Sequence, residues 1–290
     1  MKILYLTGWC RSGSTLIGNL LNELPGVLHV GELHYLWRNG VLAAGTNSTC
    51  GCGEPIGDCP LWSAVLGKAG GDAAAAVADQ RAVLRTRHAH RRRTERAPSA
   101  RVARTRERMT GLYEAIAAES GASVIVDSSK YPAEPALLAR APDVDLRVLH
   151  VVRDPRATAH SWRRAKAYIP AMGAARSTAY WTGFGWASDR LAPVLGERWR
   201  RLRYEDFVAA PRERLAEIMR LAGIDGEPPV GGDGTAALGV NHTVTGNPDR
   251  LHRGPVRVAD GEAWRRELPR RDRAVATLLA APLLGRYGYR

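Results

Sequence analysis

Short apolar runs alternate along the chain with longer stretches whose apolar residues recur every three or four positions. KILYLTG (2–8) is a continuous apolar run ending on glycine, the signature of a buried strand. STLIGNLLNEL (14–24) follows with Leu16, Ile17, Leu20, Leu21 and Leu24 on one helical face, and Pro25-Gly26 stops it. VLHVGE (27–32), SVIVDSSK (123–130) and DLRVLHVVRDPR (145–156) read as further strands, and RWRRLRYEDF (198–207) as a strand turning into a loop. Helical spacing predicts helices within 59–120, broken near Gly67–Gly71 and Pro98, and over 134–141, 156–168, 178–191, 212–223, 261–268 and 270–281. Residues 225–261 are rich in Gly and Pro and read as loop. Strands alternating with helices predict a three-layer α/β fold, a central parallel sheet flanked by helices. No internal repeat or separating linker interrupts the pattern. Residues 1–290 are therefore expected to form one domain, with a helical, arginine-rich insertion around 60–120.

In such a sheet, ligands bind beyond the carboxyl ends of the strands. The first strand is followed by a Gly-rich loop with Arg11, the second by Gly31-Glu32, and the third by Asp127-Ser128-Ser129-Lys130. Arg153-Asp154-Pro155-Arg156 follows the fourth strand and Tyr204-Glu205-Asp206 the fifth. Every polar cluster thus falls on one edge, which predicts a single site there.

The loop GWCRSGST (8–15) has the G-x-x-x-x-G-x-[ST] frame of a phosphate loop, with Ser14 where a lysine would hold a β/γ-phosphate. Backbone N–H groups of Ser12 to Thr15 at a helix N-terminus form an anion nest, and Arg11 adds a permanent charge. No acidic strand end is obviously free to hold Mg²⁺ beside Thr15. A short anion chain such as a phosphosulfate suits this phosphate-loop-like cradle better than a metal-bound triphosphate.

RSGSTLIGNLL resembles the 5′-phosphosulfate loop of sulfotransferases that use 3′-phosphoadenosine-5′-phosphosulfate (PAPS). VVRDPRATAHSW resembles that family's 3′-phosphate segment, an Arg at a strand end and a Ser eight residues later, here Arg153 and Ser161. YEDF and NPDRLHRGPV (247–256) resemble two further family segments, one near the adenine and one closing over the nucleotide. The resemblance implies sulfuryl transfer from PAPS to a hydroxyl of a small-molecule or carbohydrate acceptor, with 3′,5′-ADP released. It implies nucleotide contacts from Arg11, Ser12, Gly13, Ser14, Thr15, Arg153, Ser161, Tyr204, Asn247, Arg250 and Gly254. It places Glu32 as the base, with Arg11 and Lys130 as charge stabilisers; His34 is the alternative base, because a histidine's ordinary pKa suits the task. No metal is expected in the reaction. Two other readings stay open: a small-molecule kinase of the phosphate-loop class, and a non-catalytic polyanion binder acting through Arg81–Arg108.

Net charge is +13, and lysine occurs only at Lys2, Lys68, Lys130 and Lys166, so arginine dominates. The run around RTRHAHRRRTER reads first as a solvated helix face. No nucleic-acid-binding signature accompanies it, so no nucleic-acid partner is expected. No apolar run approaches the roughly 18 residues of a membrane span, and the first strand is too short for a signal peptide, so the cytoplasm is the expected location. Cys50, Cys52 and Cys59 cluster as C-x-C-x6-C, which lacks the usual paired spacing of zinc sites. Reduced structural thiols, a disulfide and a metal site all remain open, with His29 or His34 able to join only by folding back. Acceptor-binding aromatics are sought in the variable segments, at Trp37, Trp62, Tyr168, Tyr180 and Trp181. A secondary metabolite or glycoside is the expected kind of acceptor.

Overall fold

A computed structural model describes residues 1–45, 47–165, 170–259 and 261–290. The helix expected over 156–168 instead runs from Pro155 to Trp162, and Tyr168 lies outside the described residues. Five strands form one parallel sheet: β1 (Lys2–Thr7), β2 (Val27–Gly31), β3 (Val124–Lys130), β4 (Asp145–Val152) and β5 (Trp199–Arg203), in the order β2-β3-β1-β4-β5. Lys2 pairs with Val124 on one side and Asp145 on the other, so β1 is central and its carboxyl end lies between those of β3 and β4.

Strand alternation explains why both faces are covered. Ile3, Tyr5, Ile125, Leu146 and Val148 join one apolar cluster with Trp62 and Ile116. Leu4, Leu6, Val124, Val126, Leu149 and Val151 join the other with Ile17, Leu20 and Leu21. The second cluster is sealed by α1 (Ser14–Asn22) and by the helix Pro211–Ala222. The first is covered by α2 (Pro60–Ala69), α3 (Ala73–Val83), α4 (Ala89–Thr94), α5 (Ala100–Ser120) and α6 (Ala133–Leu138). α7 (Pro155–Trp162) and α8 (Ala174–Asp189) follow β4 and pack on each other and on the helix Arg270–Leu284.

Four local expectations are corrected. YEDF is no loop: Tyr204–Ala209 is helical, because Glu205 and Asp206 supply the acidic first turn that a helix N-terminus favours. α8 begins at Ala174, four residues before the expected start, with Gly173 as its N-cap. The 225–261 segment is not uniformly loop, since Thr235–Leu238 and Gly254–Arg257 pair as an antiparallel hairpin. The arginine run is only partly a solvated face. Arg92 is buried against Glu95, and Arg101, Arg104 and Arg108 of α5 converge on Asp79 of α3 at 3.2–3.3 Å. Much of that charge therefore stitches helices together.

Candidate active site

The carboxyl ends of β1 to β5 open onto a cavity of about 730 Å³. It collects residues from every polar cluster the sequence places on that edge: Arg11, Gly13, Ser14 and Thr15; Glu32; Lys130; Arg153 and Ser161; and Tyr204.

The loop after β1 shapes one end. Gly13 is the N-cap of α1, with φ 90°, and no side chain caps the helix there. The first N–H groups of α1 thus lack intrahelical acceptors, and Gly13, Ser14 and Thr15 at this end of the helix line the cavity. A Cβ on Gly13 would lie 2.3 Å from the Tyr204 ring, so only glycine permits this approach. Arg11 holds φ 72° and lies over the Trp162 ring, 5.1 Å from its centroid. Ser12 does not line the cavity; it is buried in a recess beneath the loop, and its hydroxyl finds no hydrogen-bond partner among the described residues.

The second cationic point follows β4. Arg153 Nη1 donates to the Arg11 carbonyl at 3.1 Å, and the guanidinium lies 4.7 Å from the centroid of the Tyr204 ring. Trp181 Nε1 donates to the Arg153 carbonyl at 2.9 Å, fixing the strand end. Asp154 caps α7 by accepting from the Arg156 N–H at 2.8 Å, with Pro155 at the first helical position. That cap sets the helix direction, and Ser161, two turns on, lines the same cavity.

Between the two, Lys130 Nζ is ion-paired with Glu32 and donates to the Ser128 carbonyl at 2.9 Å. Burial alone would lower the Lys130 pKa; the Glu32 carboxylate outweighs it, and the ammonium is held above its ordinary value. Lys130 has φ 77°, so three non-glycine residues lining this site, Arg11, Lys130 and Thr245, occupy the left-handed region. Such strain costs of order 1–3 kcal/mol each and collects where function over-determines the backbone. Glu32 is anchored by its own N–H, which donates to the Val244 carbonyl at 2.8 Å. Cys10 also lines the cavity, but burial pushes its thiol up to about 11, which keeps it neutral at pH 7.

The structure separates the two candidate bases. His34 does not line the cavity; Nδ1 contacts Glu134, and the ring stacks on Tyr131 with centroids 4.1 Å apart. The 247–256 segment divides as well. Asn247 faces the cavity, together with Asp249, His252 and Val256. Arg250 turns inward instead, 1% exposed, donating to the carbonyls of Thr243 and Thr49 and to Asn47 Oδ1 at 2.8–3.0 Å. Gly254 opens the second hairpin strand and is not a lining residue.

Of the aromatics sought for the acceptor, Trp37, Trp62 and Trp181 are core residues, 4% exposed or less. Tyr180 is exposed and stacks on Trp9, with centroids 4.9 Å apart. Among the described residues, the Trp, Tyr and Phe rings on the cavity wall besides Tyr204 are Trp9, Tyr35, Tyr131 and Trp162. Only Trp9, beside the loop cysteine, carries a sequence cue; the others are placed by how β2, β3 and α7 end.

A parallel sheet with a helix N-terminus that no side chain caps after its central strand, and an arginine at the next strand end on the same cavity, defines the protein as α/β with a cationic cleft at the carboxyl edge of its sheet. The sequence profile of the sulfotransferase family matches residues 4–228, and the chain belongs to that family. Its structure is similar to the sulfotransferase domain of the olefin synthase from Synechococcus PCC 7002 (20% identity, TM-score 0.52). That match covers 100% of this chain and 95% of the other. It is also similar to the sulfotransferase domain from the curacin biosynthetic pathway (19% identity, TM-score 0.54), covering 99% of this chain and 97% of the other. No match was found among curated proteins. The fold class read from the strand–helix alternation is the observed one. Among the described residues, no helix is long and apolar enough to cross a membrane.

Proposed function

We propose that the chain, acting as one sulfotransferase domain, transfers a sulfuryl group from PAPS to a hydroxyl of a small-molecule or carbohydrate acceptor. The observation that carries this reading is the pairing of two cationic points on one cavity wall. The α1 N-terminus with Arg11 is one, Arg153 with Ser161 is the other, and Arg153 is hydrogen-bonded to the loop that bears Arg11. PAPS, when bound, supplies the sulfuryl group and departs as 3′,5′-ADP.

The chain's own residues then divide the work. The loop N–H groups and Arg11 bind the 5′ anions, where charge grows as the bond to sulfur breaks. Arg153 and Ser161 hold the ribose 3′-phosphate, and Tyr204, stacked beneath Arg153, borders the adenine side. Glu32 accepts the proton of the acceptor hydroxyl, a role open to it because it lines the cavity and His34 does not. Lys130 holds Glu32 in place and adds positive charge next to the reacting centre. Sulfuryl transfer asks for positioning and charge stabilisation more than covalent participation, as phosphoryl transfer does.

Incubation of the purified chain with ³⁵S-labelled PAPS and a panel of phenols, polyols and glycosides tests the reading. Label transferred to an acceptor hydroxyl, at an unchanged rate in excess EDTA, is expected. No transfer to any acceptor class, together with phosphate transfer from Mg-ATP, would favour the kinase reading.

A further inference from the structure

Away from the cavity floor, TCGCGEPIGDC folds into a small knuckle. Cys50 N donates to the Glu54 carbonyl at 2.7 Å and Gly53 N to the Cys50 carbonyl at 3.0 Å, while Thr49 and Pro55 form an antiparallel bridge. This turn brings Cys50 and Cys52 together, and Cys59, the N-cap of α2, closes back on them. The fourth member is neither His29 nor His34. His29 is buried between Asn19 and Ser128, and His34 is held by Glu134. It is His242, from a segment more than 180 residues further along.

The ligand atoms of Cys50, Cys52, Cys59 and His242 all lie within 4.8 Å of one another. His242 Nδ1 is 3.2 Å from Cys59 Sγ and 3.7 Å from Cys50 Sγ. A tetrahedral zinc with Zn–S about 2.3 Å and Zn–N about 2.0 Å separates its ligand atoms by about 3.5–3.8 Å. None of the four cysteines of the chain is in a disulfide. We propose that Cys50, Cys52, Cys59 and His242 bind one zinc ion in a closed, structural Cys3His site.

Four protein ligands leave no open position, so the ion has no part in the transfer chemistry. Its task is mechanical. Trp62 Nε1 donates to the His242 carbonyl at 2.8 Å, and Gly51 N donates to the Thr243 carbonyl at 2.9 Å. A Cβ on Gly51 would lie 1.9 Å from Asn241 Oδ1, so the two segments touch without room for a side chain. Two residues past His242, Val244 accepts from the Glu32 N–H and donates to the Val30 carbonyl, each at 2.8 Å. Thr245, Gly246 and Asn247 then form cavity wall. The ion therefore bolts the strap that positions Glu32 to the helical layer over the sheet. Metal binding by such a set is also folding free energy, because the unfolded chain cannot assemble it.

This proposal stands independently of the sulfotransferase reading, and metal analysis tests it without any activity assay. The full chain, purified without affinity-tag metals from zinc-supplemented culture and dialysed, is expected to carry about one zinc per chain by plasma mass spectrometry. Cys52→Ser, at the half-buried ligand, is expected to carry less than about a fifth of that. Replacing zinc by Co²⁺ in the unmutated chain is expected to give the thiolate charge-transfer and strong visible ligand-field bands of tetrahedral sulfur ligation. This measurement keeps the test decisive if the variant fails to fold. Chelation with a zinc-competent ligand should lower Tm by roughly 10 °C. A chain without stoichiometric zinc and without the cobalt bands, or one that is two hydrogens lighter per cysteine pair under non-reducing conditions, overturns the site.

Discussion

Glu32 and Lys130 meet at the ends of neighbouring strands, and their ion pair is the residue-level core of the proposed chemistry. Glu32→Gln keeps the side-chain shape and removes the base, so kcat should fall by about 10²–10⁴; Tm should fall as well, because Lys130 loses the carboxylate that offsets its burial. Retention of full kcat would take Glu32 out of the role. His34→Gln should instead lower Tm, because His34 touches the buried Glu134 and stacks on Tyr131 rather than facing the cavity. Arg153→Ala makes a sharper test of assignment. It should weaken PAPS by about 10–100-fold while leaving adenosine 5′-phosphosulfate, which lacks the 3′-phosphate, nearly unaffected. Equal losses for both nucleotides would contradict the contact. Residue types in the first four polar clusters were legible because each follows a strand with an unmistakable apolar run. The inward turn of Arg250 was not, because its partners Thr49, Asn47 and Thr243 are remote in sequence.

At the scale of elements, the β1–loop–α1 unit was the most legible part of the chain. Ile17, Leu20 and Leu21 are buried on the face that the helical spacing indicates. β4 was equally clear, being apolar on both faces as an inner parallel strand must be. The hairpin of Thr235–Leu238 with Gly254–Arg257 was hidden, because four-residue strands of small residues carry no alternation to read, and their pairing spans a 15-residue connection. His242 lies in that connection, which is why the fourth member of the cysteine cluster escaped the sequence. The loop–helix junction also yields a prediction. Gly13→Ala brings a Cβ to 2.3 Å from the Tyr204 ring at φ 90°, so it should cost about 1–3 kcal/mol of stability by urea unfolding. It should also abolish nucleotide-dependent stabilisation. A variant as stable as the parent, with its nucleotide response intact, would mean the junction is looser than its geometry implies.

The whole molecule has a pH dependence written into its buried histidines. Burial lowers His29 from 6.5 to about 3, so the folded protein keeps it neutral where the unfolded chain takes up a proton. Its contribution to stability is complete above pH 6.5 and is lost as pH falls from 6.5 towards 3, at up to about 1.4 kcal/mol per pH unit. Burial shifts His150 the same way. Asp127 acts in the opposite sense: burial and then the neighbouring Glu134 raise it to about 7. It therefore favours the folded state below its unfolded value, and that benefit is lost as pH rises through about 7. Urea unfolding should show His29→Gln well below the parent at pH 7 and the gap narrowing towards pH 4; a gap independent of pH would refute the assignment.

At this same scale sits the central claim, that two cationic points on one cavity wall grip the two ends of one nucleotide. Isothermal titration calorimetry with 3′,5′-ADP in EDTA measures it directly. One site per chain is expected, with Kd at least about tenfold tighter than for 5′-AMP and with Arg153→Ala erasing that difference. Absence of binding, or binding only of Mg-ATP, would contradict it.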